Sequence, residues 1–154
     1  MKILFVDAGN YCRSPAAEAV CRTMATQAGA AGRVTFSSAG LKDKHVGDTA
    51  DPRTIAACSA RGYDLGEFRC RQIGAADIAG SDLILAMDRD NVVQLEQRRP
   101  PGDTTRIELF LGDREVPDPY FGAADGFDVM MDQIEAGARR LLTTLGVGEE
   151  RAPT

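Results

Sequence analysis

This chain is short of histidine and of paired cysteines. One histidine, His45, occurs among its 154 residues. A metal site built on several imidazoles is therefore excluded, and a Cys-His or Ser-His catalytic pair has only this residue to draw on. The four cysteines, Cys12, Cys21, Cys58 and Cys70, form no C-x-x-C unit, which removes the zinc-ribbon and thioredoxin-like patterns. In an intracellular chain they read as free thiols. Basic residues are outnumbered, 18 Lys and Arg against 23 Asp and Glu, so a general nucleic-acid binder is not expected. No apolar run approaches the ~20 residues of a membrane span. The opening "MKILFVD" turns acidic after four apolar residues and carries no cleavage signature, so neither a membrane segment nor a signal peptide is expected. A cytoplasmic location follows by default.

What is present is an ordinary globular composition, 44% apolar and 27% charged, long enough for one domain with its own core. That domain is expected over residues 1–148, with 149–154 as a frayed tail. "KILFV" is a short continuous apolar run, as in a strand covered on both faces. Ser14 is expected to N-cap a helix that has Pro15 in its first position and Gly29 as its stop. "RVTFSSAG" reads as a strand. Asp51-Pro52 opens a helix that Gly62 ends. "DLILAM" reads as a buried strand, "RDNVVQLEQRR" as a helix stopped by Pro100-Pro101, and "TRIELFL" as a further strand. From about Phe127 to Leu145, apolar Met130, Ile134, Ala138 and Leu141 recur at spacings of three and four, the period of an amphipathic helix. Strands alternating with helices give a three-layer α/β fold: a central twisted parallel sheet of about four strands with helices on both faces. Sites in such folds lie at the carboxyl ends of the strands. That edge holds the loop after the first strand and the "VPDPYFG" stretch.

The first of these loops has the composition of an anion site. Backbone N–H groups between a strand end and a helix N-terminus converge on one concavity, and the helix dipole adds positive charge there. Gly9 offers backbone freedom. Asn10 tolerates a left-handed conformation, and Arg13 presents a planar fork that fits two oxygens of a phosphate. A plain strand-to-helix turn with a surface arginine would carry the same Gly and Arg.

The whole string is more specific. D-A-G-N-Y-C-R-S-P, from Asp7 to Pro15, resembles C-x-G-N-x-C-R-S-P, the phosphate loop of the low-molecular-weight protein tyrosine phosphatases. "SSAG", "HVGDTADPR", "RQI", "DLILAMDRDN" and "VPDPYFG" follow in the order and approximate spacing of that family, so the resemblance spans nearly the whole chain. It implies hydrolysis of phosphotyrosine and other aryl phosphate monoesters by a cysteinyl-phosphate mechanism, with no metal or other cofactor. The implied partners are a phosphotyrosine protein substrate and phosphate or a similar oxyanion. The phosphate-binding loop would comprise Ala8, Gly9, Asn10, Tyr11, Cys12, Arg13 and Ser14. Arg13 would stabilise the equatorial oxygens, Ser14 would hydrogen-bond the nucleophile, and Asn10 would brace the loop with help from Ser38. Asp118 of "DPY" matches the general acid, although Asp-Pro is also a plain turn. Asp88 matches a residue that orients the loop arginine, and equally fits the N-cap of the following helix. Tyr11, Lys44, His45 and Tyr120 would line the substrate pocket. Lys44 stands where an aromatic residue often flanks the substrate ring, and Phe68 stands where many relatives carry a histidine near the loop asparagine.

The departure is Asp7, at the position of the nucleophilic cysteine. A carboxylate shares the charge of a thiolate but is a far weaker nucleophile toward a phosphate dianion. Three accounts stand at this stage. Asp7 replaces a cysteine by engineering, or renders an oxidised one; or the chain is a natural pseudophosphatase acting as a binding module; or Asp7 itself forms an aspartyl-phosphate. The first leaves an inactivated form of a phosphatase. Arg13 and the loop amides are expected to keep the Asp7 carboxylate ionised in the empty loop. An arsenate reductase on the same fold is a further alternative, but it needs a cysteine relay, and no close pair lies near "RQIGAADIAGSDLI".

Overall fold

In the computed structural model, which describes residues 1–120, 122–123 and 125–147, the apolar run after Met1 forms strand β1 (Lys2–Asp7), buried from Ile3 to Asp7. The chain then runs through α1 (Arg13–Gln27), β2 (Thr35–Gly40), α2 (Pro52–Ser59), α3 (Ala75–Gly80), β3 (Leu83–Ala86), α4 (Arg89–Arg98), β4 (Arg106–Leu109) and α5 (Gly126–Thr144). The four strands form one parallel sheet in the order β2-β1-β3-β4. Because side chains alternate along a strand, β1 supplies both layers of the core. Ile3 and Phe5 face a cluster with Val20 of α1, Cys58 of α2 and Met131 and Ile134 of α5. Leu4 and Val6 face Ile78 of α3 and Leu95 of α4. Phe5 stacks on Phe36 at 5.9 Å and meets Phe110 edge-on at 5.3 Å, which ties the middle of the sheet together. The parallel α/β sheet covered on both faces is thus present as expected.

Two details differ from the sequence reading. Helix α1 begins at Arg13, so Ser14 lies inside the first turn and is not its N-cap; Cys12 takes that place without a side-chain cap. The short helix α3 has no counterpart among the expected elements. Its six residues, Ala75–Gly80, carry too little periodicity to stand out. The proposed domain end at 148 and the tail 149–154 lie outside the described residues.

What the fold contributes to function is one edge. The carboxyl ends of β1, β2 and β3 bring Asp7, Gly40 and Met87 to the same side, followed by the loop after β4. β2 approaches the first loop so closely that a Cβ on Gly40 would lie 2.7 Å from both the Asn10 nitrogen and the Gly9 carbonyl carbon. Only hydrogen fits there. Gly40→Ala is therefore expected to cost roughly 1–3 kcal/mol, the usual price of overpacking against backbone. A lower urea midpoint at unchanged slope would register it, and an unchanged midpoint would refute it.

Candidate active site

The loop from Ala8 to Cys12 joins β1 to α1, and its Asn10 N–H turns inward to Asp7. Asn10 occupies the left-handed region with φ of 57°, a conformation that asparagine tolerates better than most residues. Gly9, expected to supply that freedom, has no positive φ. Its lack of a side chain instead makes room for the His45 ring, which a Cβ would meet at 3.4 Å.

Hydrogen bonds hold Asn10 on every side. Its Nδ2 donates to Ser14 Oγ at 2.9 Å and to Ser38 Oγ at 3.0 Å. Its Oδ1 accepts from the Arg71 backbone at 2.9 Å. Behind it, Ser38 Oγ donates to buried Glu18 at 2.6 Å, and Glu18 also pairs with Arg22. The brace expected from Ser38 is in place, and Glu18, which sequence reasoning missed, closes it from behind. Ser14 and Glu18 stand four apart within α1, a spacing that puts them on one helix face and was a usable signal. Phe68 packs against the apolar core and leaves the brace to these groups.

Asp7 lies at the base of the loop, 3% exposed. One carboxylate oxygen accepts from Asn10 N at 2.6 Å and the other from Ser14 N at 2.9 Å. Asp7 thereby caps the first turn of α1 from the end of the neighbouring strand, satisfying N–H groups that a helix start leaves free. Burial nonetheless pushes its carboxyl above the ordinary value of 3.8, outweighing the downward pull of the Arg13 guanidinium and of the Ser14 and Asn10 donors. Burial thus adds a cause that the expectation from the donors alone left out.

Arg13, itself 3% exposed, is held by three oxygens. It donates to Asp88 at 2.8 Å and to the Val116 carbonyl at 2.9 Å, and lies 3.7 Å from Asp118. Asp88 does both things the sequence allowed: its other oxygen caps α4 by accepting from Asn91 N at 2.8 Å.

These groups open onto a cavity of about 240 Å³ lined by Asp7, Gly9, Arg13, Asp118 and Tyr120 together with Lys42. Ala8, Tyr11, Cys12, Lys44 and His45 complete its wall. All the expected pocket residues meet there, as do the loop residues apart from Asn10 and Ser14, which face inward to brace it. Tyr11 and His45 stack face to face at 3.7 Å, and Tyr120 stands tilted 5.9 Å from Tyr11. Lys44 approaches the Tyr120 ring at 5.9 Å. Lys42 is an addition with no sequence signal beyond its place after β2. A larger cavity of about 450 Å³ lies behind the loop, lined in part by Glu18, Arg22, Ser38 and Phe68, and Asp7, Arg13 and Asp118 are not part of it.

The thiols are quiet. Burial pushes Cys12 up to about 12, and its Sγ lies 3.7 Å from Asp51. Cys70 is pushed to about 11 by burial and nearby carboxylates. Cys58 faces Met131 in the core, 3.8 Å away.

The family model for low molecular weight phosphotyrosine protein phosphatases matches residues 2–151, and the chain belongs to that family. A Synechocystis protein provisionally named a low molecular weight protein-tyrosine-phosphatase is 42% identical over 153 residues, covering 95% of this chain and 97% of its own. The low molecular weight protein-tyrosine-phosphatase of Streptomyces coelicolor is 36% identical, covering 94% and 93%. Among solved structures, a protein tyrosine phosphatase from Entamoeba histolytica superposes with a TM-score of 0.89 at 35% identity, covering 95% of this chain and 97% of that one. The scaffold is that of a tyrosine phosphatase.

The raised Asp7 carboxyl has a consequence for stability. The unfolded chain releases this proton near 3.8, whereas the folded chain keeps it to higher pH. Its contribution is therefore complete below that value and is lost as pH rises through the folded pKa. Relative to Asp7→Asn, the chain should lose stability as pH climbs above about 4, levelling off once Asp7 is ionised in both states. Urea unfolding of the two proteins across this range measures the difference. A difference that grows in favour of Asp7 with rising pH would contradict the burial argument.

Proposed function

We propose that this chain is an aryl-phosphate-recognising member of its family whose hydrolysis is stopped at the first chemical step by Asp7. The observation that carries the reading is the arrangement around Arg13: a guanidinium fixed by Asp88 and the Val116 carbonyl, facing one cavity with Asp118 at its mouth and the loop at its base. In this reading Arg13 binds the equatorial oxygens of the phosphoryl group and stabilises their charge in the transition state. Asp118, 45% exposed at the side chain, is the proton donor to the leaving phenol. Ser14 attends position 7, Asn10 holds the loop, and the Tyr11, His45 and Tyr120 rings provide walls for an aromatic leaving group. Lys42 and Lys44 stand on the same wall, which suits a phosphotyrosine flanked by acidic residues.

Asp7 stops the chemistry in two ways. It is a poor nucleophile toward phosphorus, and when ionised it opposes the substrate's charge. Two unit charges about 4 Å apart repel by about 4 kcal/mol at an effective dielectric of 20. The cavity keeps its recognition groups, which supports a binding role for the chain as it stands. The family match over residues 2–151 supports a single domain. Four unpaired thiols support a reducing, cytoplasmic setting. We assign the reaction no metal and no other cofactor.

Asp7→Cys tests the reading. A thiol there gains the helix N-terminus, the Arg13 charge and the Ser14 hydroxyl, all of which favour its thiolate. The chain itself should show no measurable turnover of an aryl phosphate such as p-nitrophenyl phosphate. Asp7→Cys should hydrolyse it in the presence of a chelator. Adding Asp118→Asn should lower that rate by roughly a hundredfold or more, with the largest loss for poor leaving groups. A folded Asp7→Cys protein without activity would sink the assignment, and Mg²⁺-dependent turnover by the Asp7 chain would favour an aspartyl-phosphate instead.

A further inference from the structure

The recognition site is short of positive charge for the ligand it is built around. Among the described residues, Arg13 is the one cation buried at its base, and three carboxylates surround it: Asp88 at 2.8 Å, Asp118 at 3.7 Å, and Asp7 beneath the loop. Asp7 also takes up the Asn10 and Ser14 N–H groups, donors of the loop and of the helix start that would otherwise serve an anion. A tetrahedral dianion entering this cavity meets an ionised carboxylate at its floor. Protonating that carboxylate removes the repulsion and gives the group a hydrogen to donate.

On the reading of the loop as an oxyanion site, we propose that it takes up tetrahedral oxyanions together with a proton, which rests on the Asp7 carboxyl. The proton comes from solvent, and no covalent bond to the anion forms. The ligand class is thus a tetrahedral oxyanion that keeps the charge it carries in solution, while the site gains one proton on Asp7.

Asp7 is the group best placed to hold that proton. It is buried and already pushed toward its neutral form by burial. The other groups facing it are few. Arg13 comes from α1 and remains charged, its own pKa pushed further up by the carboxylates around it, against the effect of burial. Cys12 on the loop and Cys70 on the segment after α2 feel the Asp7 charge, and both stay neutral because burial raises them to about 12 and about 11. Across the cavity stand Lys42, Lys44 and His45 from the segment after β2, and Asp118 from the loop after β4. Asp88 lies behind Arg13 and is engaged by it and by the α4 N-terminus. His45, beside Asp48 at 3.4 Å, and Asp118 are the two rival proton sites.

Calorimetric titration with sodium sulfate separates them. Sulfate remains a dianion throughout the useful range, so any proton taken up belongs to the protein. The chain, Asp7→Asn, Asp118→Asn and His45→Gln are each titrated from about pH 5 to about pH 9, in two buffers of different ionisation enthalpy. The expected result for the chain is an uptake approaching one proton per sulfate, with affinity rising by about tenfold per pH unit on acidification inside that range. Asp118→Asn and His45→Gln should keep this uptake. Asp7→Asn should lose it and bind more tightly at neutral pH. Three results overturn the proposal: sulfate affinity of the chain that does not change with pH, absence of binding by the chain at any pH while Asp7→Asn binds, or an uptake that persists in Asp7→Asn and disappears in either other variant. A folded Asp7→Asn protein that binds neither sulfate nor phosphate overturns instead the reading of the loop as an anion site.

Discussion

The contact on which the site depends is the one between the Asp7 carboxylate and the start of helix α1. A helix N-terminus has unsatisfied N–H groups and a partial positive charge. In this chain the end of the adjoining strand supplies the anion that answers both. The result is a closed loop of interactions: Asp7 accepts from Asn10 and Ser14, Asn10 donates to Ser14 and Ser38, and Ser38 donates to Glu18. Every member is buried, so each bond is made where water cannot substitute for it. The same convergence of donors that makes a phosphate loop makes a seat for an internal carboxylate.

On the proposed reading, that seat explains how an acidic protein, with a net charge of −5, keeps a local site for an anion. Positive potential there does not come from a basic surface. It comes from one arginine fixed by Asp88 and the Val116 carbonyl, from oriented amides, and from two lysines at the rim. Fixing the guanidinium in advance lowers the entropy lost on binding. It also leaves Arg13 shared among carboxylates, and on the proposed reading the charge at position 7 decides whether an external anion is welcome. The aromatic faces of Tyr11, His45 and Tyr120 shape the cavity without adding charge of their own when neutral.

Much of this was legible in the sequence, for identifiable reasons. The strands and long helices announced themselves through continuous apolar runs and through spacings of three and four, as in α5. The loop announced itself because Asn10, Arg13 and Ser14 are chemically distinctive and stand at the end of the first apolar run. Residues distant in sequence, such as Asp118 and Tyr120, were placed on the edge of the loop by the strand-end rule and given their roles by resemblance to a family, and the fold brings them to the same cavity. Other features left no local trace. The Val116 carbonyl and the Arg71 amide are backbone groups, and any residue could have supplied them. Lys42 looks like surface sequence until β2 delivers it to the rim. The start of α1 was misjudged because Ser-Pro is the usual signature of a helix entry, and here the cap comes from a residue on another element. The burial that raises the Asp7 carboxyl left no trace either, because it depends on packing that no neighbouring residue reveals.

The central claim is that Asp7 occupies, in charge, the place of the ligand's own anion. Phosphate affinity of the chain and of Asp7→Ala, measured by calorimetry near neutral pH, tests it most directly, because alanine removes the carboxylate and leaves Arg13 and the loop in place. The account predicts phosphate binding at least about a hundredfold tighter in Asp7→Ala, in line with the repulsion between close charges. Equal affinities in two folded proteins would contradict it.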